Sequence, residues 1–333
     1  MKINELEFLN FFVVMLQQGY DVEYILKLCH ILHYKKESQS ILNYLNEGYS
    51  LQDALIKCHF SHSFQEYFRF FIHTFSLTDA IKKTLKICEK KNEMKMRLIK
   101  KLTYPLFMLI FLFFFSIFVV TFLLPQVENL FLDFQIEKTF FITFVFSLFH
   151  IIPYLIFLAF FLLISCSLFI FYHVKKTNFY IIDLLMKRTY FISKLLKKYY
   201  SLKFAIYYEE LLQNKYDATS IIEILYSKIE DSDIKMIVYE LYHFIKQGQS
   251  LNEAIRCFIY FEEDFKMFYF MMCQNQKNKS LNDYINFVFT QINSFISKSI
   301  KIVVPLIYGF VATFVIVIYI AIILPMMNII TIV

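Results

Sequence analysis

The 333-residue chain is 58% hydrophobic, carries 42 Phe against only four Gly and five Pro, and has a formal net charge of +6. Soluble proteins are roughly 45–50% apolar, so a wholly water-exposed domain is a poor fit. So few Gly and Pro argue against a β-barrel or sandwich with its many tight turns and favour long helices. The charge is too mild for this length to imply nucleic acid, and its clusters lie beside apolar segments.

In chain order, the N-terminal MKINELEFLNFF has acids at Glu5 and Glu7 and no basic region leading into an apolar core, which reads against a signal peptide. Leu6, Leu9, Phe12, Val13 and Leu16 fall on one helical face, the first of several helices expected over residues 1–101. Three uncharged runs follow, at 102–127, 139–174 and 302–333. A helix needs about 20 apolar residues to cross the hydrocarbon core, and backbone groups in lipid must bond within the segment, so each run is expected to be a transmembrane helix. The second is too long for one minimal span. His150 and Pro153 lie within it, so a kinked helix or an interfacial first part is expected, with His150 near the outer interface.

Flanking charge orients these segments. Residues 82–101 contain nine Lys or Arg, the loop after the first run carries Glu128, Asp133 and Glu137, and Lys175, Lys176, Lys187 and Arg188 follow the second. Lys298 and Lys301 precede the third. The fold expected is an all-α integral membrane protein with two repeated cytoplasmic helical-bundle domains and three transmembrane helices. Its segments are a cytoplasmic domain 1–101, a helix 102–126, an external loop 127–139, a helix 140–174, a second cytoplasmic domain 175–301, a helix 302–325 and an external tail 326–333. The N-terminus and 175–301 face the cytoplasm, and the C-terminus lies outside.

The two halves match each other. GYSLQDAL at 48–55 recurs as GQSLNEAI at 248–255, and Pro105 and Pro125 recur as Pro305 and Pro325, all at an offset of 200. LQQGYD at 16–21 recurs as LQNKYD at 212–217, and SLTDAI at 76–81 as SLNDYI at 280–285. Gly48 and Gly248 suit left-handed helix ends, while Ser50 with Asp53 and Ser250 with Glu253 read as capping boxes. Ser76 with Asp79, Ser280 with Asp283 and Ser220 with Glu223 read the same way. Pro105 and Pro305 fit the first turn of their helices, whereas Pro125 and Pro325 are expected to end theirs.

This doubled set of motifs resembles the type II secretion and type IV pilus inner-membrane platform proteins (the GspF/PilC family), over nearly the whole chain. Within it the short chain and composition look most like the Gram-positive competence pseudopilus version. The resemblance implies a non-enzymatic platform that couples a cytoplasmic hexameric motor ATPase to insertion of pilin-like subunits into a filament, here one serving DNA uptake. It implies self-association, contact with membrane lipids, no cofactor and no direct nucleic-acid contact. Family members usually carry Gly-Glu-x-x-Gly before the helices that begin at Ser76 and Ser280; this chain has FIHTFSL and CQNQKNKSL there.

Cys29-His30-x-x-His33 and Cys58-His59-x-x-His62 could place imidazoles on one helical face, making His30, His33, His59 and His62 weak metal candidates, although adjacent His pairs are more often surface features. Asp231-x-Asp233 resembles a sugar-nucleotide motif but reads better as an exposed loop. A small oligomeric transporter or channel is the alternative function, with only Thr121, Ser165 and Thr313 as polar lining candidates. The six cysteines form no C-x-x-C pair and are expected to be reduced thiols.

Overall fold

The computed structural model describes residues 3–133, 190–229, 234–274 and 280–332, together with isolated positions between 140 and 188. Every regular element among them is helical. The first half gives α1 (Ile3–Gln17), α2 (Val22–Ile31), α3 (Lys35–Asn46), α4 (Leu51–Lys57), α5 (His62–Ile72) and α6 (Leu77–Phe118), then a π-turn (Val119–Leu123) and α7 (Leu124–Asp133). The described residues of the second half give α8 (Tyr190–Leu212), α9 (Ala218–Lys228), α10 (Lys235–Lys246), α11 (Leu251–Cys257), α12 (Glu263–Gln274) and α13 (Asn282–Ile332). The expected second span, 140–174, is described only at isolated positions.

Two compact units result. The first takes residues 1–96 and 177–290, the second residues 97–176 and 291–333. The stretches expected as two helical domains, 1–101 and 175–301, therefore contribute to the same unit. Its core is aromatic and runs as two similar ladders. In one, Phe8 stacks on Phe60, Phe60 meets Phe64 edge to face, and Phe64 stacks on Phe68, at 6.2, 5.4 and 5.2 Å. In the other, Phe204, Phe261, Phe265 and Tyr269 repeat that order at 5.0, 4.6 and 6.2 Å. All eight rings are buried. Large rings bury much area each and gain roughly 0.5–1.5 kcal/mol per well-placed pair beyond it.

The helix ends follow local chemistry. Gly48 and Gly248 adopt φ of +87° and +85°, and the next residue's N–H closes back on the helix: Tyr49 donates to Tyr44 O and Gln249 to Phe244 O, each at 3.1 Å. This is the glycine-terminated helix end expected. Ser250 and Glu253 form the full reciprocal box. Ser50 caps α4 by accepting from the Asp53 N–H, but the aspartate, one methylene shorter, takes the Ser50 hydroxyl at 2.6 Å rather than its backbone N–H. Ser76 and Asp79 do likewise at the start of α6.

Six expectations at helix ends are corrected. Pro105 lies deep inside α6 and Pro305 deep inside α13, not in first turns. Pro125 opens α7 instead of closing a helix, directly after the π-turn, and α13 runs past Pro325 to Ile332. A proline removes one N–H and crowds the preceding turn, and a π-turn absorbs that misfit. Where apolar surroundings offer the backbone no other partner, continuing the helix leaves fewer groups unpaired than ending it. The segment 127–139, expected as a loop, is helical as far as Asp133. Ser220 does not cap α9; Asp217 does, accepting from the Ser220 N–H. Asp217 is exposed, and the Ser220 and Thr219 hydroxyls together with that N–H hold its carboxyl down at about 2. The cap is fully charged above the ordinary aspartate value and weakens only as pH falls towards that figure.

Among the described residues, two helices are long and apolar enough to cross a membrane, and the apolar windows of both are mostly exposed. Phe107, Phe114, Phe122, Ile302 and Leu306 each keep over half of their surface open. A core helix would bury such residues, so this surface is suited to lipid.

The matching sequence motifs also contain a built-in contrast. Gly19, at φ +83°, corresponds to Lys215, which holds φ +64° with a side chain. A left-handed backbone costs a non-glycine residue about 1 kcal/mol. Lys215→Gly is therefore expected to stabilise the chain by up to about 1 kcal/mol, and Gly48→Ala, which meets no neighbour within 4 Å, to destabilise it by about 1 kcal/mol. Denaturant unfolding of the purified chain, followed by helical circular dichroism, reads both; shifts of the same sign would contradict the assignment.

Candidate functional site

Helix α8 is the most deeply enclosed element of the first unit: every residue from Lys203 to Leu211 is buried. A helix buried all round is normally apolar. This one carries Ser201, Lys203, Glu209 and Glu210 at 0, 6, 1 and 6% exposure. Isolated charges at such depth would cost several kcal/mol each, so each needs a partner.

The partners come from both halves of the sequence. Lys203 pairs with Glu66 of α5, whose side chain is 9% exposed. The Glu210 carboxylate accepts from Lys83 Nζ of α6 at 2.7 Å. Between these two pairs Tyr207 inserts against Tyr67 and Phe70 at 5.0 Å each. On the second-half side, Ser201 Oγ accepts the Glu262 N–H at 2.9 Å, and Lys198 lies 3.6 Å from the Glu262 carboxylate, which also accepts from the Tyr284 hydroxyl at 2.7 Å. Burial dominates at Glu262 and raises its carboxyl above the usual range, despite Tyr284 and Lys198.

Glu209 does the work expected of Asp283. Its carboxylate accepts from Ser280 Oγ at 2.8 Å, the Leu281 N–H at 2.5 Å and Asn282 Nδ2 at 2.7 Å, at the first turn of α13. An anion there satisfies orphan backbone donors and complements the helix dipole. The Ser280–Asp283 box is thus replaced by a carboxylate from α8. The matching residue in the first half is Val13, which leaves Ser76 and Asp79 to cap α6 locally. The adjacent Glu209 and Glu210 therefore grip α13 and α6, the two helices that contain the apolar stretches.

The residues singled out in the sequence lie elsewhere. Gly48, Ser50, Asp53, Gly248, Ser250 and Glu253 form helix ends, and Pro105, Pro125, Pro305 and Pro325 lie within helices. His33 occupies a left-handed position after α2 with φ +73°. Among the described residues no three His, Cys, Asp or Glu side chains gather to hold a metal ion, so His30, His33, His59 and His62 carry no metal proposal. Cys29, Cys58 and Cys88 are buried, and burial pushes each thiol up to about 11. The hydroxyls of Thr121 and Thr313 each donate to the carbonyl four residues back, at 2.9 Å. Asp231 and Asp233 lie outside the described residues, and Ser165 and His150 are among the isolated positions.

Residues 8–125 match the family model of the type II secretion system (T2SS), protein F. The match spans α1 to the opening of α7 and covers little more than a third of the chain. No curated protein matches.

Glu209→Ala is expected to destabilise the chain by about 2–4 kcal/mol, since it strands charge-assisted donors in buried positions. Glu253→Ala, at an exposed cap, should cost about 0.5–1 kcal/mol. Near-equal midpoint shifts would contradict the buried role of Glu209. Thiol alkylation mapped by mass spectrometry should modify the exposed Cys257 first, and Cys29, Cys58 and Cys88 only after unfolding. The raised thiols bind protons more tightly folded than unfolded, so their contribution to stability is whole below the ordinary thiol value and is lost as pH rises from there through about 11.

Proposed function

We propose that the chain is the inner-membrane platform of a type II secretion or type IV pilus-like machine. The observation that carries this is the protein F family match over residues 8–125. It is supported by an all-helical first unit and by two long helices with exposed apolar surface.

In this reading the chain contains two copies of one unit: the helix order α1–α6 recurs as α8–α13, with similar aromatic ladders. Three membrane spans place the N-terminus and residues 175–301 in the cytoplasm and the C-terminus outside. The helices of the first unit dock on a hexameric motor ATPase. Membrane helices receive pilin-like subunits and hand them to the filament. The protein acts by binding and mechanical coupling rather than covalent chemistry, and works as a homo-oligomer. The short chain and its composition resemble the Gram-positive competence pseudopilus version of the family, so the filament in this reading serves DNA uptake, with no DNA contact by this chain. Glu209 and Glu210 suit such a role, since strain arriving at α8 would reach both α6 and α13.

Tagged chain purified from native membranes after mild crosslinking is expected to bring down a secretion-type ATPase and small pilin-like proteins, identified by mass spectrometry. A folded preparation that repeatedly recovers neither overturns the platform assignment.

A further inference from the structure

Lysines that orient the spans also lie where two helices of the second unit enter their apolar stretches. Lys100 and Lys101 of α6 and Lys298 and Lys301 of α13 are all exposed. The two helices meet at this level. Lys101 Nζ donates to Ser297 Oγ at 2.6 Å, and the hydroxyls of Tyr104, about one turn beyond Lys101, and Tyr308, about three turns beyond Ser297, are hydrogen-bonded to each other. Lys298 and Lys301 are three residues apart and share a helix face with one another, close after Ser297. Four exposed lysines thus lie near the level at which the two helices meet.

Neither helix carries a carboxylate in the stretch around these lysines. The sequence has no Asp or Glu from Arg97 to Val127, and none from Gln291 to Val333. Like charges at short range repel unless an anion lies among them. The surface changes character at once on the C-terminal side. Leu102 and Leu106 of α6, and Ile302 and Leu306 of α13, are 48, 50, 68 and 68% exposed. A ligand that satisfies both surfaces is anionic at one end and apolar at the other. Lysines bind phosphate oxygens as point charges, and basic residues beside a membrane helix attract anionic headgroups.

We infer that Lys100, Lys101, Lys298 and Lys301 bind the phosphate headgroup of an anionic glycerophospholipid whose acyl chains lie along the exposed apolar surfaces of α6 and α13. The inference rests on the membrane character of these helices and not on the platform assignment.

Native mass spectrometry tests it on the full chain. The detergent-purified protein is incubated with an equal mixture of phosphatidylglycerol and phosphatidylcholine of identical acyl chains, and the retained lipid is counted. Several-fold enrichment of phosphatidylglycerol is expected. The variant K100Q/K101Q/K298Q/K301Q should retain both lipids equally, and K100R/K101R/K298R/K301R, which keeps the charge, should keep the enrichment; helical circular dichroism checks that each is folded. Millimolar inorganic phosphate should leave the bound lipid in place. Equal retention by the unmodified chain, enrichment that survives the glutamine changes, or displacement by phosphate alone would each overturn the inference, the last by showing a simple anion site.

Discussion

Burying charge on α8 is the constraint on which the first unit depends. Lys203, Glu209 and Glu210 leave water together, and a buried ion that loses its partner costs about 3–5 kcal/mol. That penalty acts as a specification. Alternative packings of these helices would separate Lys203 from Glu66, or Glu210 from Lys83, and leave a charge in an apolar core. Apolar contact alone would be far less selective, because the aromatic ladders of the two halves are so alike. Tyr207 seated against Tyr67 and Phe70 supplies the area, and the ion pairs supply the register.

A second constraint acts on the long helices. An apolar surface as open as that of α6 and α13 is stable only where water is absent. In such surroundings the backbone has no partner but itself. This accounts for helices that run through Pro105, Pro305 and Pro325, and for a π-turn before Pro125 in place of a break. Where the apolar runs begin, polar chemistry is concentrated: a lysine-to-serine bond and a tyrosine pair tie α6 to α13.

Much of this was legible in the sequence. Of the apolar face Leu6, Leu9, Phe12, Val13 and Leu16, the central Leu9, Phe12 and Val13 are buried as the helical period requires, and Leu6 and Leu16 are half-buried. Gly48, Gly248 and the Ser250–Glu253 box are where local chemistry puts them. The misses share a cause. Glu209 caps a helix about 70 residues downstream, and nothing near Ser280 announces it, because Asp283 stands ready at the expected spacing. The segment KFAIYYEEL carried a signal that went unused: mixed charges and aromatics with no polar face fit a core helix better than a surface one. Pro105 and Pro305 lie deep inside because α6 and α13 begin well before the apolar runs, and Pro125 and Pro325 do not end helices because a break in apolar surroundings leaves backbone groups unpaired.

Native-state hydrogen exchange on the intact chain, read by mass spectrometry, tests the central claim most directly: that the α8 charges bind both halves into one cooperative unit. The account predicts that the amides of α5, of α6 up to residue 96 and of α8 open together, with one shared protection that falls in step as denaturant is added. If α5 and that part of α6 exchanged far faster than α8, with their own dependence on denaturant, the halves would be independent, and the charged seam would be a contact without structural consequence.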